Sequence, residues 1–371
     1  MSMFWYIVIC VLMLYPLSII HAGNISGKKT KHLALIIACF ILWFFMAMRN
    51  VTVGVDTKYY SYVFAQFSQI PLSKVFSAVT YATSSRTWSF DFEPGYRMIN
   101  KLVSYISDSP QAITIFNSTL IITLLYNVIR RNSPNYLLSI WLYITLGIYQ
   151  TEMNVTRNAI AILIVYNAFS FARTRQFGKY VLMCLLATSF HVAALVFIPI
   201  YWLIHYVRID IKRGILFIGA ACLIGAIFPI ISPYIRILLP DRFDRYFEGN
   251  NDKLVSLMVG MMNAGVFVVT YLMMRESERK KVVSDYSIGV TMLVLNLCFF
   301  GLNIGLEYAS RMAALFGPYL IIFIPQMLSL MESKSRRKTA AWIITVICGV
   351  QYVLRLCINN IGGTMPYRFM G

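Results

Sequence analysis

Charged residues at the edges of apolar stretches are where this chain can do chemistry, and four places stand out. In the first, Arg49 closes an apolar run, Gly54 permits a sharp turn, and Asp56 or Thr57 can cap the helix carrying Tyr59 and Tyr60. The second runs from Glu152 through Asn154 to Arg157, Asn158 and Ala161. With a helix beginning near 152, Arg157 lies about 7–8 Å inside it at about 1.5 Å per residue. A guanidinium at that depth keeps its proton and needs an anion, either phosphate, which fits its planar fork, or an internal carboxylate such as Glu152. The third is His191, after Phe190, within an otherwise apolar stretch. The fourth is Glu307-Tyr308-Ala309-Ser310-Arg311, where pairing at the interface is the plainer reading. Arg49 can equally be an interface anchor, and a lone His191 a satisfied structural residue.

Ionisable groups at membrane depth cost several kcal/mol and are functional candidates by default. Together these residues describe an outward-facing cavity with arginines, a histidine and a few carboxylates, suited to an anionic, amphipathic ligand. The chain holds no phosphate-binding Gly-rich loop, no HExxH and no Cys/His cluster, and no DxD-like pair occurs in its outer loops. Its seven cysteines sit in or beside apolar blocks without CxxC spacing, so neither disulfides nor zinc is indicated. No metal and no cofactor is expected. Sequons at Asn24, Asn117 and Asn154 are at chance level.

The elements that must hold these residues are membrane helices. The 371 residues are 58% hydrophobic and 13% charged, with a mean hydropathy of +0.66. A soluble enzyme, a secreted disulfide scaffold and a disordered regulator are excluded. The expected fold is an all-α, polytopic transmembrane bundle, a single integral domain over 1–371. Spans are expected at about 4–21, 33–48, 111–129, 135–150, 155–172, 180–204, 214–232, 254–274, 284–304, 311–331 and 339–357, about 10–11 segments. The first should be a retained span, since Lys28, Lys29 and Lys31 follow it rather than precede it. Large outer loops fall at 49–110 and 233–253. The first is aromatic-rich, and Glu93-Pro94 opens a helix bearing Tyr96, Met98, Ile99, Leu102, Val103 and Ile106.

A net charge of +18 is not a nucleic-acid signal here. The basic residues gather in short clusters between spans, among them Arg130/Arg131, Arg173/Arg175/Lys179, Arg208/Lys212/Arg213 and Lys334/Arg336/Arg337/Lys338, which assigns those segments to the cytoplasm. One conflict follows. Clusters on both sides of 180–204 claim the cytoplasm, yet that stretch is too short to cross twice. Either it is a re-entrant hairpin with His191 near its tip, or it crosses once and 214–232, with Gly219, Gly225, Pro229 and Pro233 in or beside it, is the re-entrant piece. Both solutions place a polar cavity in this region.

In chain order, Arg49, Gly54-Val55-Asp56-Thr57-Lys58-Tyr59-Tyr60, Glu93-Pro94, Arg157-Asn158-Ala159-Ile160-Ala161, Phe190-His191, Arg311 and a closing Pro366-Tyr367 resemble the pattern of the EpsG-like, Wzy-type polymerases of bacterial exopolysaccharide and O-antigen. The resemblance covers nearly the whole chain. It departs at Asn158, where the family commonly has Gln. It implies a glycosyltransferase of the bacterial cytoplasmic (inner) membrane, with its site facing the periplasm or cell exterior. The growing glycan would move from undecaprenyl pyrophosphate onto a new lipid-linked repeat unit, without metal. Arg157, Arg49 and Arg311 would then meet pyrophosphate, and His191, Glu152, Asp56 and Glu93 are the candidates for general base. Donor and acceptor oligosaccharides, membrane lipid, a chain-length regulator and a flippase are the implied partners, and nucleic acid is not. The rival readings are a flippase for the same lipid-linked oligosaccharide, an O-antigen ligase and a membrane acyltransferase using His191. The chain shows no internal repeat of the kind many transporters carry.

Overall fold

The computed structural model describes residues 28–76, 79–83, 86–90, 92–207, 209–238, 253–306 and 308–370. The expected span at 4–21, the charged and aromatic part of the second outer loop (239–252), Asp91, Arg208 and Glu307 lie outside them. Apolar runs become helices because hydrocarbon offers no partner for a free backbone N–H or C=O. Among the described residues six helices are long and apolar enough to cross a membrane: Lys29–Ala47, Pro110–Asn132, Ile211–Tyr234, Val255–Leu272, Ala309–Leu330 and Lys334–Leu356. A seventh candidate pairs Glu276–Asp285 with Ser287–Leu302 across an 89° bend. The protein is thus a polytopic helical membrane protein, as expected, with six or seven spans among the described residues. The differences from the expected set fall in the middle of the chain, where 135–150, 155–172 and 180–204 were expected as spans.

Two compact units are present, one made of residues through Asn132, Tyr136–Pro199 and Gly349–Gly371, the other of Ser133–Asn135 and Ile200–Cys348. In the first, helices α1 (Lys28–Ala47), α4 (Pro110–Asn132) and α7 (Thr156–Arg173) pack together. Ile121, Leu125 and Val128 of α4 are buried, and so are residues 159–166 of α7 on every side. The segment between α1 and α4 holds α2 (Thr57–Gln69), a hairpin of β1 (Val79–Thr83) and β2 (Arg86–Phe90), and α3 (Pro94–Ser104). The hairpin was not foreseen, since helices alone were expected in this loop.

Helix α3 buries only part of its apolar set and adds polar residues to it. Tyr96, Asn100 and Val103 turn inward, while Leu102 and Ile106 are exposed. Asn100 and Lys101 can be inside because they are bonded there, Asn100 Nδ2 donating to the Tyr96 carbonyl at 2.8 Å and Lys101 Nζ to the Ser68 carbonyl at 3.0 Å.

The expected span 135–150 is two pieces, α5 (Tyr136–Thr145) and α6 (Ile148–Asn154), separated at Gly147, whose φ of +77° ends a helix cheaply only in glycine. A second break at Val155 separates α6 from α7. Arg157 is therefore the second residue of its helix and lies at the helix mouth, not one and a half turns within, as a start near 152 would have placed it.

The stretch 180–204 doubles back. Helix α8 (Phe177–Thr188) ends in a turn at 189–191, a 3-10 helix follows over Val192–Phe197, and the Tyr180 hydroxyl donates to the Phe197 carbonyl at 2.7 Å. An unbroken helix would hold residues 17 apart about 25 Å from each other. The rings of Tyr166, Phe169, Tyr180 and Phe197 meet at the closed base of this hairpin, and His191 stands at its tip.

In the second unit the other re-entrant candidate is instead one continuous helix, α9 (Ile211–Leu238), despite Pro229 and Pro233 within it. It packs closely on α12 (Ser287–Leu302), with α10 (Lys253–Leu272) and α11 (Glu276–Asp285) between them in the chain. A Cβ on Gly225 would sit 2.4 Å from the Gly301 carbonyl oxygen, so small residues set this approach, as at many membrane helix interfaces. Asn263 Nδ2 donates to Asn296 Oδ1 at 3.0 Å and Asn296 Nδ2 to the Ala313 carbonyl at 2.8 Å, joining helices through buried amides. The remaining helices are α13 (Ala309–Phe316), α14 (Leu320–Leu330) and α15 (Lys334–Asn359). After α15, which ends in the first unit, the tail returns along residues 48–50. The Asn50 amide donates to the Arg368 carbonyl and the Met370 amide to the Met48 carbonyl, both at 2.9 Å.

Candidate active site

Glu93 precedes Pro94, which sets φ for the first turn of α3 and holds the residue before it extended (ψ 148°). Its side chain makes no cap to its own helix and points away, toward two residues from distant parts of the chain. Oε2 pairs with Arg157 Nη1 at the mouth of α7. Oε1 lies 3.0 Å from His191 Nδ1 and also accepts the Val192 amide at 3.1 Å. The start of α3 is fastened to the same tip through the Ser189 carbonyl, which accepts from Gly95 N at 2.8 Å. Gly95 is required for this approach, since a Cβ there would meet the Ser189 carbonyl oxygen at 2.8 Å.

Three of the residues singled out by sequence, at positions 93, 157 and 191, thus form one cluster. Their side chains are 14%, 21% and 30% exposed, so a ligand can reach them. Burial alone would raise the pKa of Glu93; the hydrogen bond from His191, the Arg157 charge and the main-chain amides outweigh it and bring it down to about 2. Glu93 is therefore an acceptor only, and His191 Nδ1 carries the proton between them. The Nε2 lone pair of a neutral His191 is left for another proton. Among the described residues Arg157 Nε is buried and meets no acceptor.

An aromatic wall stands beside the guanidinium. Phe92 lies under it, 4.2 Å from Arg157 Cζ to the ring centroid. Tyr59, Tyr60 and Tyr96 pack on Phe92 with centroids 5.7, 6.1 and 5.4 Å away. The Tyr60 hydroxyl lies close enough to Arg157 for each to act on the other's charge. Arg97 fixes Phe92 by donating to its carbonyl. The Tyr60 contact had no role in the sequence reading, although the residue closes the Gly54-to-Tyr60 segment.

The other expected site residues lie differently. Asp56 precedes α2 without capping it; its amide donates to Asn154 Oδ1 at 3.4 Å, and its charge acts on the same Tyr59 and Tyr60 hydroxyls as Arg157, with opposite sign. Arg49 is buried, with Nη1 on the Met46 carbonyl and Nη2 on the Met153 carbonyl at 2.9 Å, so it ties the end of α1 to α6. Glu152 is buried and accepts from the Tyr143 hydroxyl at 2.5 Å, away from Arg157, whose internal carboxylate partner is Glu93. Arg311 belongs to the second unit, where its guanidinium lies 4.5 Å from the Tyr308 ring centroid. Among the described residues no three His, Cys, Asp or Glu side chains gather as metal ligands.

The sequence matches the EpsG family over residues 32–369, nearly its full length. No curated protein and no solved structure gives a significant match. The match spans the described part of the chain almost entirely and includes Arg49, Glu93, Arg157 and His191. The protein accordingly belongs to the EpsG family, as a multi-pass membrane protein of the polysaccharide-polymerase type.

Proposed function

We propose that the cluster of Glu93, Arg157 and His191 transfers a growing glycan from undecaprenyl pyrophosphate to the sugar hydroxyl of a lipid-linked repeat unit, on the outer face of the bacterial cytoplasmic membrane. The observation that carries this reading is Glu93 bridging a guanidinium and an imidazole, both partly open. The acceptor hydroxyl attacks the anomeric carbon, the bond to the pyrophosphate oxygen breaks, and the hydroxyl proton passes to His191 Nε2. Glu93 holds the imidazole in the tautomer this requires and stabilises the imidazolium formed. Arg157 meets the charge growing on the departing pyrophosphate, a fixed cation in the role a metal fills elsewhere. Asp56 and the ring faces of Tyr59 and Tyr60 suit the sugar. Arg49 serves by positioning, through the Met153 carbonyl, and Arg311 remains a second candidate for phosphate. The chain-length regulator and the flippase of such a pathway are the expected partners.

The test is the size distribution of surface glycan in a strain deleted for this protein and complemented with wild type or Arg157→Ala. A single capped repeat after deletion, with the ladder restored by wild type alone, supports polymerisation at Arg157. A full ladder with Arg157→Ala present at wild-type level in the membrane removes Arg157 from the chemistry. Loss of all surface glycan with lipid-linked units accumulating inside would replace polymerisation by export.

A further inference from the structure

Three stretches far apart in sequence meet at one amide. Asn154 ends α6, is buried, and uses both ends of its side chain. Oδ1 accepts the Asp56 amide, and Nδ2 donates to the Gly362 carbonyl at 2.7 Å and to the Gln150 carbonyl at 3.1 Å. Three glycines with left-handed backbone press on this point, Gly54 (φ +96°), Gly362 (+68°) and Gly363 (+61°). A Cβ on Gly54 would lie 2.7 Å from Asn154 Oδ1, and one on Gly362 would lie 2.3 Å from Asn154 Nδ2 and 2.9 Å from the Gln150 carbonyl oxygen. The tail and the outer turn are also joined directly, by Gly54 N donating to the Gly363 carbonyl at 3.0 Å. Such conformations cost any other residue free energy and persist where the surroundings over-determine them.

The outer turn is what delivers Asp56, Tyr59 and Tyr60 to Arg157. Thr57 Oγ1 donates to the Val53 carbonyl at 2.7 Å, so the turn and the first residues of α2 move as one piece. Whatever holds Gly54 and Asp56 therefore sets where the Tyr60 hydroxyl meets the guanidinium.

We propose that Asn154, with the C-terminal Gly362-Gly363 turn, is a positioning element of the active site. It anchors the Gly54–Asp56 turn and through it the aromatic wall that orients Arg157, although the tail touches none of the reacting groups. The inference rests on the reading of Arg157 as the pyrophosphate-binding residue.

The experiment uses the full-length protein in lipid nanodiscs and a lipid-pyrophosphate-linked repeat unit, with initial rates measured over a range of its concentration. The variants are Asn154→Ala, Gly362→Ala, the double variant, and Arg157→Ala. A small displacement of a catalytic group lowers the rate by one to two orders of magnitude. Asn154→Ala and Gly362→Ala should each lower kcat about tenfold or more, with KM changed by less than about threefold, because the guanidinium charge is still present to bind substrate. Both act through one contact, so the double variant should be no slower than the slower single, whereas independent effects would multiply. Wild-type kcat in Asn154→Ala, in preparations where Arg157→Ala is inactive, overturns the positioning role and leaves the catalytic reading standing. An active Arg157→Ala overturns that reading itself. Multiplying losses that track a falling thermal midpoint would reduce Asn154 to a merely structural residue and overturn the inference.

Discussion

His191 Nδ1 lies 3.0 Å from Glu93 Oε1, and this one contact decides which nitrogen of the imidazole is free. An ionised carboxylate can only accept, so Nδ1 donates and Nε2 keeps its lone pair. Glu93→Gln preserves the size of the side chain but lets an amide N–H point at Nδ1, which favours the opposite tautomer. Loss of the orienting carboxylate in a related arrangement costs several orders of magnitude in rate. Glu93→Gln should therefore lower the initial polymerisation rate on the order of a hundredfold with normal protein in the membrane. A rate within about threefold of wild type would show that the tautomer is set by something else.

The same carboxylate makes the fold acid-sensitive. Its pKa falls from 4.5 to about 2, despite the burial that would raise it, because the His191 hydrogen bond and the Arg157 charge favour the ionised form. A depressed folded-state pKa contributes stability that is full above the unfolded value and is lost as pH falls through the folded one. The thermal midpoint of the detergent-solubilised protein should thus drop between about pH 4.5 and pH 2 more steeply in wild type than in Glu93→Gln. Parallel curves for the two proteins would contradict the assignment.

Gly95 allows α3 to touch the hairpin tip. In Gly95→Ala the new Cβ would lie 2.8 Å from the Ser189 carbonyl oxygen, a main-chain atom that cannot rotate away. Helix α3 must then retreat, taking Glu93 from His191. The expected result is a rate loss of about tenfold or more. Combining it with Ser189→Gly should not restore the rate, since the carbonyl remains; restoration would locate the clash in the serine side chain.

Glu152 separates catalytic from structural carboxylates. It is buried against Tyr143, whose hydroxyl it receives at 2.5 Å. Glu152→Gln keeps an acceptor for that hydroxyl and should support polymer synthesis within about threefold of wild type. Glu152→Ala leaves the hydroxyl unsatisfied, at a cost of about 1–3 kcal/mol, and should lower the thermal midpoint and the amount of protein in the membrane. An inactive but fully stable Glu152→Gln would return this residue to the list of bases.

How far the sequence discloses the site depends on which property is asked of each residue. Glu93, Arg157 and His191 are conspicuous singly, because charge beside apolar runs is rare and each needs a reason. That they meet cannot be read from spacing, since contact depends on breaks at Val155 and at 189–191 that no proline or glycine announces. The break before α7 also explains the misplaced depth of Arg157. Arg49 carries the same outward signs as Arg157 and yet faces two carbonyls. Asn154 stands in the Glu152-to-Ala161 segment and in a chance sequon but draws no role of its own, because a buried amide that joins three chain segments has no local signature. Of its partners Gly54 was expected to turn, whereas Gly362 and Gly363 carried no signal without the tail's return path. The long helices were legible from hydropathy. The β1–β2 hairpin was not, lying in a stretch whose aromatics fit a headgroup layer equally well.

The interruption at 189–191 has a chemical product of its own. An unbroken helix would have bonded the Val192 amide to the carbonyl of Thr188, and the Ser189 carbonyl to the amide of residue 193. Both groups are instead turned outward and taken up by residues 93–96, one donating to a carboxylate and one accepting from an amide. The recognition between hairpin and α3 is thereby written in main-chain atoms, which most substitutions leave untouched. Positions 189 and 192 are then open to side-chain drift, while proline at 192, which deletes the amide, is the one replacement that erases half of the address.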